Sequence, residues 1–434
     1  MNSEDGTFER VSHGGLQAGV LPAIVGFYFA FRLFIMLLSV RVLGTDPRTG
    51  TGLNIAADFL VLLLAVFCSP AESRYPIRQM AQPPSVRWAL FFLAFSGCSL
   101  FWSSTASPAT ATAYWCAMAA DVAIVVLLLR ARPVAGVAES LMKGYVCGAC
   151  LVAIIAWLMP AQSDLRLGDD ELLGANQIGY LCGFAFFFAQ YLLRRSKTRN
   201  VAPALLLAVT LLRTLSKTTI AAFLISQGFL LMRDKSIRRR SKLLAVLVTA
   251  AAIAGSSSLL TSYYGIYAGA GNQPETLSGR IGIWAYMLSE AAQQPWIGHG
   301  FDSVWKVAPP FGPDQFEAAH AHNELLQQFY AYGLIGVCMF AGIYFTLFRQ
   351  MRRLAAGPLR VFLIAFLVFI LVRGTADTER FDLSLPLWAI VIISLLIEQA
   401  RVAQREAPGI LAVHPSPLAM IPRNLPAVDG GSTQ

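Results

Sequence analysis

Runs of predominantly apolar residues recur along nearly the whole chain, as in Leu21–Leu43, Ala111–Leu129 and Leu141–Met159. A hydrocarbon core of roughly 30 Å takes about 20 such residues per helix, so the repetition predicts an all-α polytopic membrane protein with about 12 transmembrane helices. The first nine are expected at Leu21–Leu43, Leu53–Cys68, Trp88–Trp102, Ala111–Leu129, Leu141–Met159, Leu173–Leu193, Val201–Leu212, Thr218–Met232 and Leu243–Leu260. The last three follow at Glu324–Phe348, Val361–Asp377 and Leu383–Ala400. Arg213-Thr-Leu-Ser-Lys217 interrupts one long apolar stretch, either as a turn between two short helices or as a polar kink. Composition agrees: 56% of the 434 residues are hydrophobic and 14% charged, where soluble domains carry about 25% charged residues. Glu4, Asp5 and Glu9 precede the first run and no small-residue cleavage site follows it. That run therefore reads as the first helix and not as a cleaved signal peptide.

The net charge of +9 does not indicate a nucleic-acid partner, because the basic residues sit in short clusters between the apolar runs. With the N-terminus in the cytoplasm, alternate loops carry Arg74 to Arg87, Arg130 to Lys143, Arg194 to Arg199, Arg233 to Lys242 and Arg349 to Arg360. These clusters and the two tails hold 24 of the 34 basic residues. Short cytoplasmic loops rich in Lys and Arg are what orients a polytopic protein, and the reverse orientation violates that rule at five loops. The expected organisation is a cytoplasmic tail (1–20), helices one to nine (21–260), a large periplasmic loop (261–322), helices ten to twelve (323–400) and a disordered cytoplasmic tail (401–434). Trp88, Trp102, Trp115 and Trp157 lie near expected helix ends, as an aromatic belt does. Seven cysteines all fall within apolar runs. Cys147-Gly-Ala-Cys150 has the C-x-x-C spacing but no second pair or histidine nearby to complete a zinc site, so small residues that let helices approach closely explain it better.

Thr261 to His322 lacks a spanning helix and holds three of the five histidines, His299, His320 and His322. Long connections of this kind are uncommon unless functional. Within it, Ile283, Trp284, Met287 and Leu288 recur at helical spacing, which predicts an amphipathic helix at the membrane surface or over the bundle. The ten basic residues left outside the cytoplasmic set include Arg32, Arg166, Arg213, Lys217, Arg280, Lys306, Arg373 and Arg380. A basic group at mid-membrane depth costs ~2.5–3.5 kcal/mol, so each needs a partner or a ligand. Arginine forks match phosphate oxygens. Arg213, Lys217, Arg373 and Arg280 are therefore candidates for holding a diphosphate, with Asp377, Glu379 and Asp382 as the alternative partners of Arg373. His322 stands where the long loop meets the next helix. A neutral imidazole there can take a proton from a hydroxyl, and an ordinary polar helix cap is the alternative. Histidines two apart are poor helical metal ligands, so neither metal nor cofactor is expected.

Three segments together, Ser278-Gly-Arg280…Trp284, Pro295-Trp-Ile-Gly298-His-Gly300 and Ala321-His322-Asn323-Glu-Leu-Leu-Gln327…Tyr332-Gly333-Leu-Ile-Gly336, resemble the signature of the O-antigen ligase and Wzy-type polysaccharide polymerase superfamily. Within it the chain resembles exopolysaccharide polymerases of the succinoglycan production type. The resemblance implies a GT-C-like membrane glycosyltransferase that needs no metal and polymerises undecaprenyl-diphosphate-linked oligosaccharide units at the periplasmic face of the bacterial inner membrane, with inversion. It implies His322 as the group that activates the acceptor hydroxyl and Arg280 as a contact of the donor diphosphate. Where the family has a Ser-Arg-Gly turn this chain has Ser216-Lys217-Thr218, so lysine keeps the charge without the bidentate fork and Arg213 is the neighbour able to share the role. Membrane lipids, a flippase and a chain-length regulator are the implied partners. The rival readings are ligation of the glycan to a lipid A core and transport of the lipid-linked sugar.

Overall fold

The computed structural model describes residues 8–69, 76–169, 171–195, 201–255, 257–269, 280–303, 310–311, 316–317, 320–379 and 381–412. The helices are α1 (Phe8–Leu37), α2 (Pro47–Cys68), α3 (Ile77–Met80), α4 (Pro84–Cys98), α5 (Pro108–Ala131), α6 (Val134–Leu158), α7 (Ala175–Arg195) and α8 (Val201–Arg213). They continue with α9 (Lys217–Arg233), α10 (Arg239–Gly255), α11 (Ser257–Gly269), α12 (Arg280–Ala291), α13 (Glu324–Arg353), α14 (Pro358–Gly374) and α15 (Leu387–Ala412). A π turn (Leu38–Val42) extends α1, and two antiparallel two-residue strands, Pro310–Phe311 and Phe316–Glu317, are the extended pieces among the described residues. Among the described residues, seven helices are long and apolar enough to cross a membrane. The protein is thus all-helical and polytopic, and its other expected spans fall on helices that are shorter or, for α7 at 21 residues, less apolar.

Small residues set the closest approach in the bundle. A Cβ on Gly26 of α1 would lie 1.9 Å from the Leu141 carbonyl oxygen of α6, and one on Gly144 would lie 1.8 Å from that of Ala23. Gly148, inside the C-x-x-C stretch, meets the Phe27 carbonyl in the same way at 2.6 Å. Lipid tails are as apolar as leucine, so helices in a bilayer associate through close packing of this kind. The cysteines themselves are free, with Cys147 turned outward. On the other flank of α7, Phe184 and Phe187 pack on Phe366 and Phe369 of α14, with Phe184 and Phe366 ring centroids 5.2 Å apart.

Helix α13 is broken at Gly333, whose φ of 63° and ψ of −156° lie in a region essentially restricted to glycine. A break of this kind frees carbonyls before it and amides after it, and each costs several kcal/mol in a bilayer unless paired. The Pro295–Gly300 segment supplies partners to four of these groups. Its His299 and Gly300 amides donate to the Tyr330 and Ala331 carbonyls at 3.0 and 2.8 Å. Its Pro295 and Trp296 carbonyls accept from the Leu334 and Ile335 amides at 2.7 and 3.3 Å. Gly298, at φ 63°, lets the two backbones meet, since a Cβ there would lie 2.5 Å from the Ala331 carbonyl carbon.

Several expectations change in detail. The Leu243–Leu260 span is carried by two helices, α10 and α11, and α11 runs to Gly269. The Arg213–Lys217 interruption is a turn, with Leu215 at φ 56° between α8 and α9. Helix α14 stops at Gly374 and leaves Asp377 in a corner beyond it, whereas α15 continues past Ala400 to Ala412. Helix α12 does lie over the bundle, its Ile283, Met287 and Ala291 buried against Tyr330 of α13, but Leu288 is 54% exposed and off that face. Ser278, Gly279, Lys306, Arg380 and the tail from residue 413 lie outside the described residues.

Candidate active site

The segment Ala321–Gln327 is fixed by its own side chains. Asn323 caps α13, its Oδ1 accepting from the Leu326 amide at 2.9 Å, while its Nδ2 donates to the Thr375 carbonyl at 2.9 Å. That second bond ties the start of α13 to the corner after α14. Glu324 is 1% exposed, and its Oε1 accepts from the Ser384 amide at 2.8 Å and the Tyr344 hydroxyl at 3.1 Å. Gly374 is opposite, where a Cβ would sit 2.5 Å from Glu324 Oε2. Gln327 Oε1 accepts from the Ala321 amide at 2.9 Å, and Trp284 of α12 donates to the Ala321 carbonyl at 2.9 Å. His322 between these anchors is forced to φ 49°.

The imidazole meets an acid in that corner. His322 Nδ1 is 3.3 Å from Asp377 Oδ1, and Asp377 Oδ2 is 3.3 Å from an Arg373 terminal nitrogen. The same nitrogen is 2.9 Å from Glu379 Oε1, and the guanidinium lies 3.9 Å above the Tyr180 ring. Burial pushes the Asp377 carboxyl up, but Arg373 and the neighbouring histidines outweigh it and hold Asp377 well below the usual carboxylate range. Burial raises Glu379 despite its bond to Arg373. The His320 ring stands perpendicular to that of His322 at 4.1 Å, and burial together with His322 pushes its pKa down to about 3. Donor atoms of His320, His322 and Asp377 lie within 4.8 Å of one another, so these three residues could also hold a metal ion.

Arg280, the first residue of α12, reaches the same corner. Its Nη1 donates to the Ala376 carbonyl, next to Asp377, and to Thr218 Oγ1 at 3.2 Å. Thr218 follows Lys217, which begins α9 and places its Nζ 5.4 Å from the Tyr263 ring centroid. Behind this turn, Ser216 Oγ donates to Asn176 Oδ1 at 2.9 Å, and Arg166 donates to the same oxygen at 2.6 Å. The structure therefore brings His322, Arg280 and the Lys217 turn to one place. Arg213 instead donates to the Leu165 carbonyl at 2.6 Å. Arg373, 2% exposed, is turned inward onto Asp377 and Glu379, as the alternative reading of that arginine had it. Thr218 and the Ala376 carbonyl had no sequence signal, since a threonine and a backbone oxygen acquire a role only through contact, and Arg166 stood out only as one of the basic residues outside the cytoplasmic set.

Against known proteins, residues 202–341 match the family model Wzy_C, described as O-antigen ligase. The chain is a multi-pass helical membrane protein, and this stretch of it is similar to the O-antigen ligase family. More particularly, it is similar to the exopolysaccharide production protein ExoQ of Rhizobium meliloti (strain 1021), with 24% identity over 348 residues covering 75% of this chain and 77% of that protein. An O-antigen ligase of Pseudomonas aeruginosa is 30% identical over 104 residues, 24% of this chain and 25% of the relative. The sequence resemblance and the similarity to ExoQ-like proteins agree.

Proposed function

We propose that this protein polymerises polyprenyl-diphosphate-linked oligosaccharide units by metal-independent, inverting glycosyl transfer at the periplasmic face of the bacterial inner membrane. The observation that carries it is the meeting of His322 and Arg280 on adjacent residues, Asp377 and Ala376, of one corner. With Nδ1–H directed at Asp377, the lone pair of His322 lies on Nε2, and Asp377 fixes that tautomer and the ring orientation. Nε2 takes the proton of an acceptor hydroxyl as its oxygen forms a bond to the donor's anomeric carbon. The bond from that carbon to the diphosphate oxygen breaks, and undecaprenyl diphosphate leaves with the electron pair. One displacement inverts the centre.

Fixed cations around the departing diphosphate lower the barrier without rearranging. Arg280 and Lys217 supply them. The start of α9, where the first backbone amides have no intrahelical partner, adds donors suited to phosphate. Arg213 is the reserve cation of the same turn. Arg373 acts one step back, as the residue that positions Asp377. A flippase that delivers the lipid-linked unit and a chain-length regulator are the partners this reading implies.

The test uses purified protein with an undecaprenyl-diphosphate oligosaccharide, with EDTA present. Elongated glycan and released undecaprenyl diphosphate are expected, and both are lost in Arg280→Ala. Transfer only to added lipopolysaccharide core would make the protein a ligase. Movement of the lipid-linked sugar across a vesicle without bond breaking would make it a transporter.

A further inference from the structure

A cavity of about 310 Å³ is lined by residues of α1, α2, α5, α6 and α7, the connection into α15 and the start of α15. Glu379 and Tyr180, which hold Arg373, both face it. Its wall carries four carboxylates, Asp58, Asp121, Glu379 and Asp382, against the single arginine Arg32. Most of their oxygens are engaged. Arg32 donates to Asp121 Oδ2 at 2.6 Å, Tyr28 donates to Asp58 at 2.7 Å, and the Leu383 and Leu387 amides donate to Asp382 at 2.7 and 3.3 Å.

Asp121 and Asp58 also share a side-chain hydrogen bond. One lining oxygen is left over: Asn54 Oδ1 is buried and has no hydrogen-bond partner among the described residues. It is an acceptor, and buried acceptors are paired in folded proteins, so a molecule that fits here brings a donor. Phosphate shares the sign of the wall, which carries four carboxylates against one arginine. A metal ion would have to displace Arg32 from Asp121. A sugar ring offers several hydroxyl donors together with an apolar C–H face. The cavity holds a matching aromatic surface, Tyr114 stacked on Phe381 with ring centroids 4.2 Å apart. Its volume is at the small end of ligand pockets, roughly 300–1,000 Å³, which suits a single sugar unit over an extended chain.

We infer that this cavity is a saccharide subsite, taking one hydroxylated ring of a lipid-linked glycan with a hydroxyl donating to Asn54 and its face against Tyr114. The assignment rests on the glycan-transfer reading for the identity of the ligand, but not on His322 acting in catalysis. It separates recognition of the sugar from recognition of the diphosphate, which belongs to the Arg280 and Lys217 side of the same corner.

The test is saturation-transfer NMR on the full chain in nanodiscs, with neutral gluco- and galacto-oligosaccharides as probes and inorganic pyrophosphate as competitor. Transfer to sugar protons is expected for the wild type and equally for His322→Ala. The loss of one hydrogen bond weakens it about 2–10-fold in Asn54→Ala, with Tyr114→Ala also weakened. Pyrophosphate leaves the signal unchanged, and thermal unfolding of both variants stays at the wild-type midpoint. No sugar signal in the wild type, equal signals in both variants, or displacement by pyrophosphate overturns the subsite. Sugar binding by a protein that fails to extend glycan keeps the subsite and sinks the catalytic reading. Extension without any sugar signal does the reverse.

Discussion

Replacing Gly333 by alanine tests the architecture that holds the site. A Cβ there would lie 2.4 Å from the Trp296 carbonyl carbon and 2.7 Å from the Ile297 amide nitrogen, both backbone atoms with no rotamer to escape into. The residue would also have to keep φ 63° and ψ −156°, a strain of ~1–3 kcal/mol for a non-glycine. Relief of the clash means moving Pro295–Gly300 off the break, which gives up the four backbone hydrogen bonds that cross it. At about 1 kcal/mol net each, these and the strain total ~5–7 kcal/mol, as much as the whole stability of many domains. The assay is thermal unfolding and monodispersity in detergent, with Gly52→Ala as control because a Cβ there meets nothing within 4 Å. Gly333→Ala should be lost from the monodisperse fraction and Gly298→Ala should behave alike, while Gly52→Ala stays at wild type. A Gly333→Ala protein with the wild-type midpoint would refute the account of the broken helix.

Asp377→Asn keeps the size of the side chain but removes the charge between His322 and Arg373; transfer should fall about 10²–10⁴-fold with expression maintained, read as polymer yield against protein level. His320 is held neutral down to about pH 3, whereas the unfolded chain binds a proton near pH 6.5. The native state is therefore disfavoured as pH falls from about 6.5 toward 3, by up to ~1.4 kcal/mol per unit. A thermal midpoint that drops between pH 7.5 and 5 should drop less in His320→Gln, and equal slopes would argue against it. Asp121→Ala leaves Arg32 inside the bundle with only Asp58 at 3.9 Å, which should cost about 3–5 kcal/mol and be recovered in part by Arg32→Met in the same chain.

What could be read in advance followed from how local each signal is. Apolar runs mark helices because a bilayer demands a minimum length, and seven of the expected spans match helices long and apolar enough to cross a membrane among the described residues. The motif around His322 was visible as a motif, but the work of its members was not. That Asn323 pins the corner at Thr375, and that Glu324 reaches Ser384, are contacts across 52 and 60 residues. The Pro295–Gly300 stretch looked like part of a loop with a histidine in it. Its structural role, filling a gap in α13, depends on backbone atoms that composition does not encode. Arg373 presented equal cases for ligand and for ion pair, and only its inward direction separates them. The cavity lined by Asp58 and Asp121 was hidden for the same reason, since its carboxylates come from three separate stretches of chain.

The most direct measurement pairs turnover with lipid binding on one preparation. Wild-type protein and His322→Ala are each given labelled undecaprenyl-diphosphate oligosaccharide, and glycan extension and retained lipid are measured together. The histidine variant should retain the lipid at wild-type affinity yet release no undecaprenyl diphosphate. Normal extension by His322→Ala would contradict a base at that position.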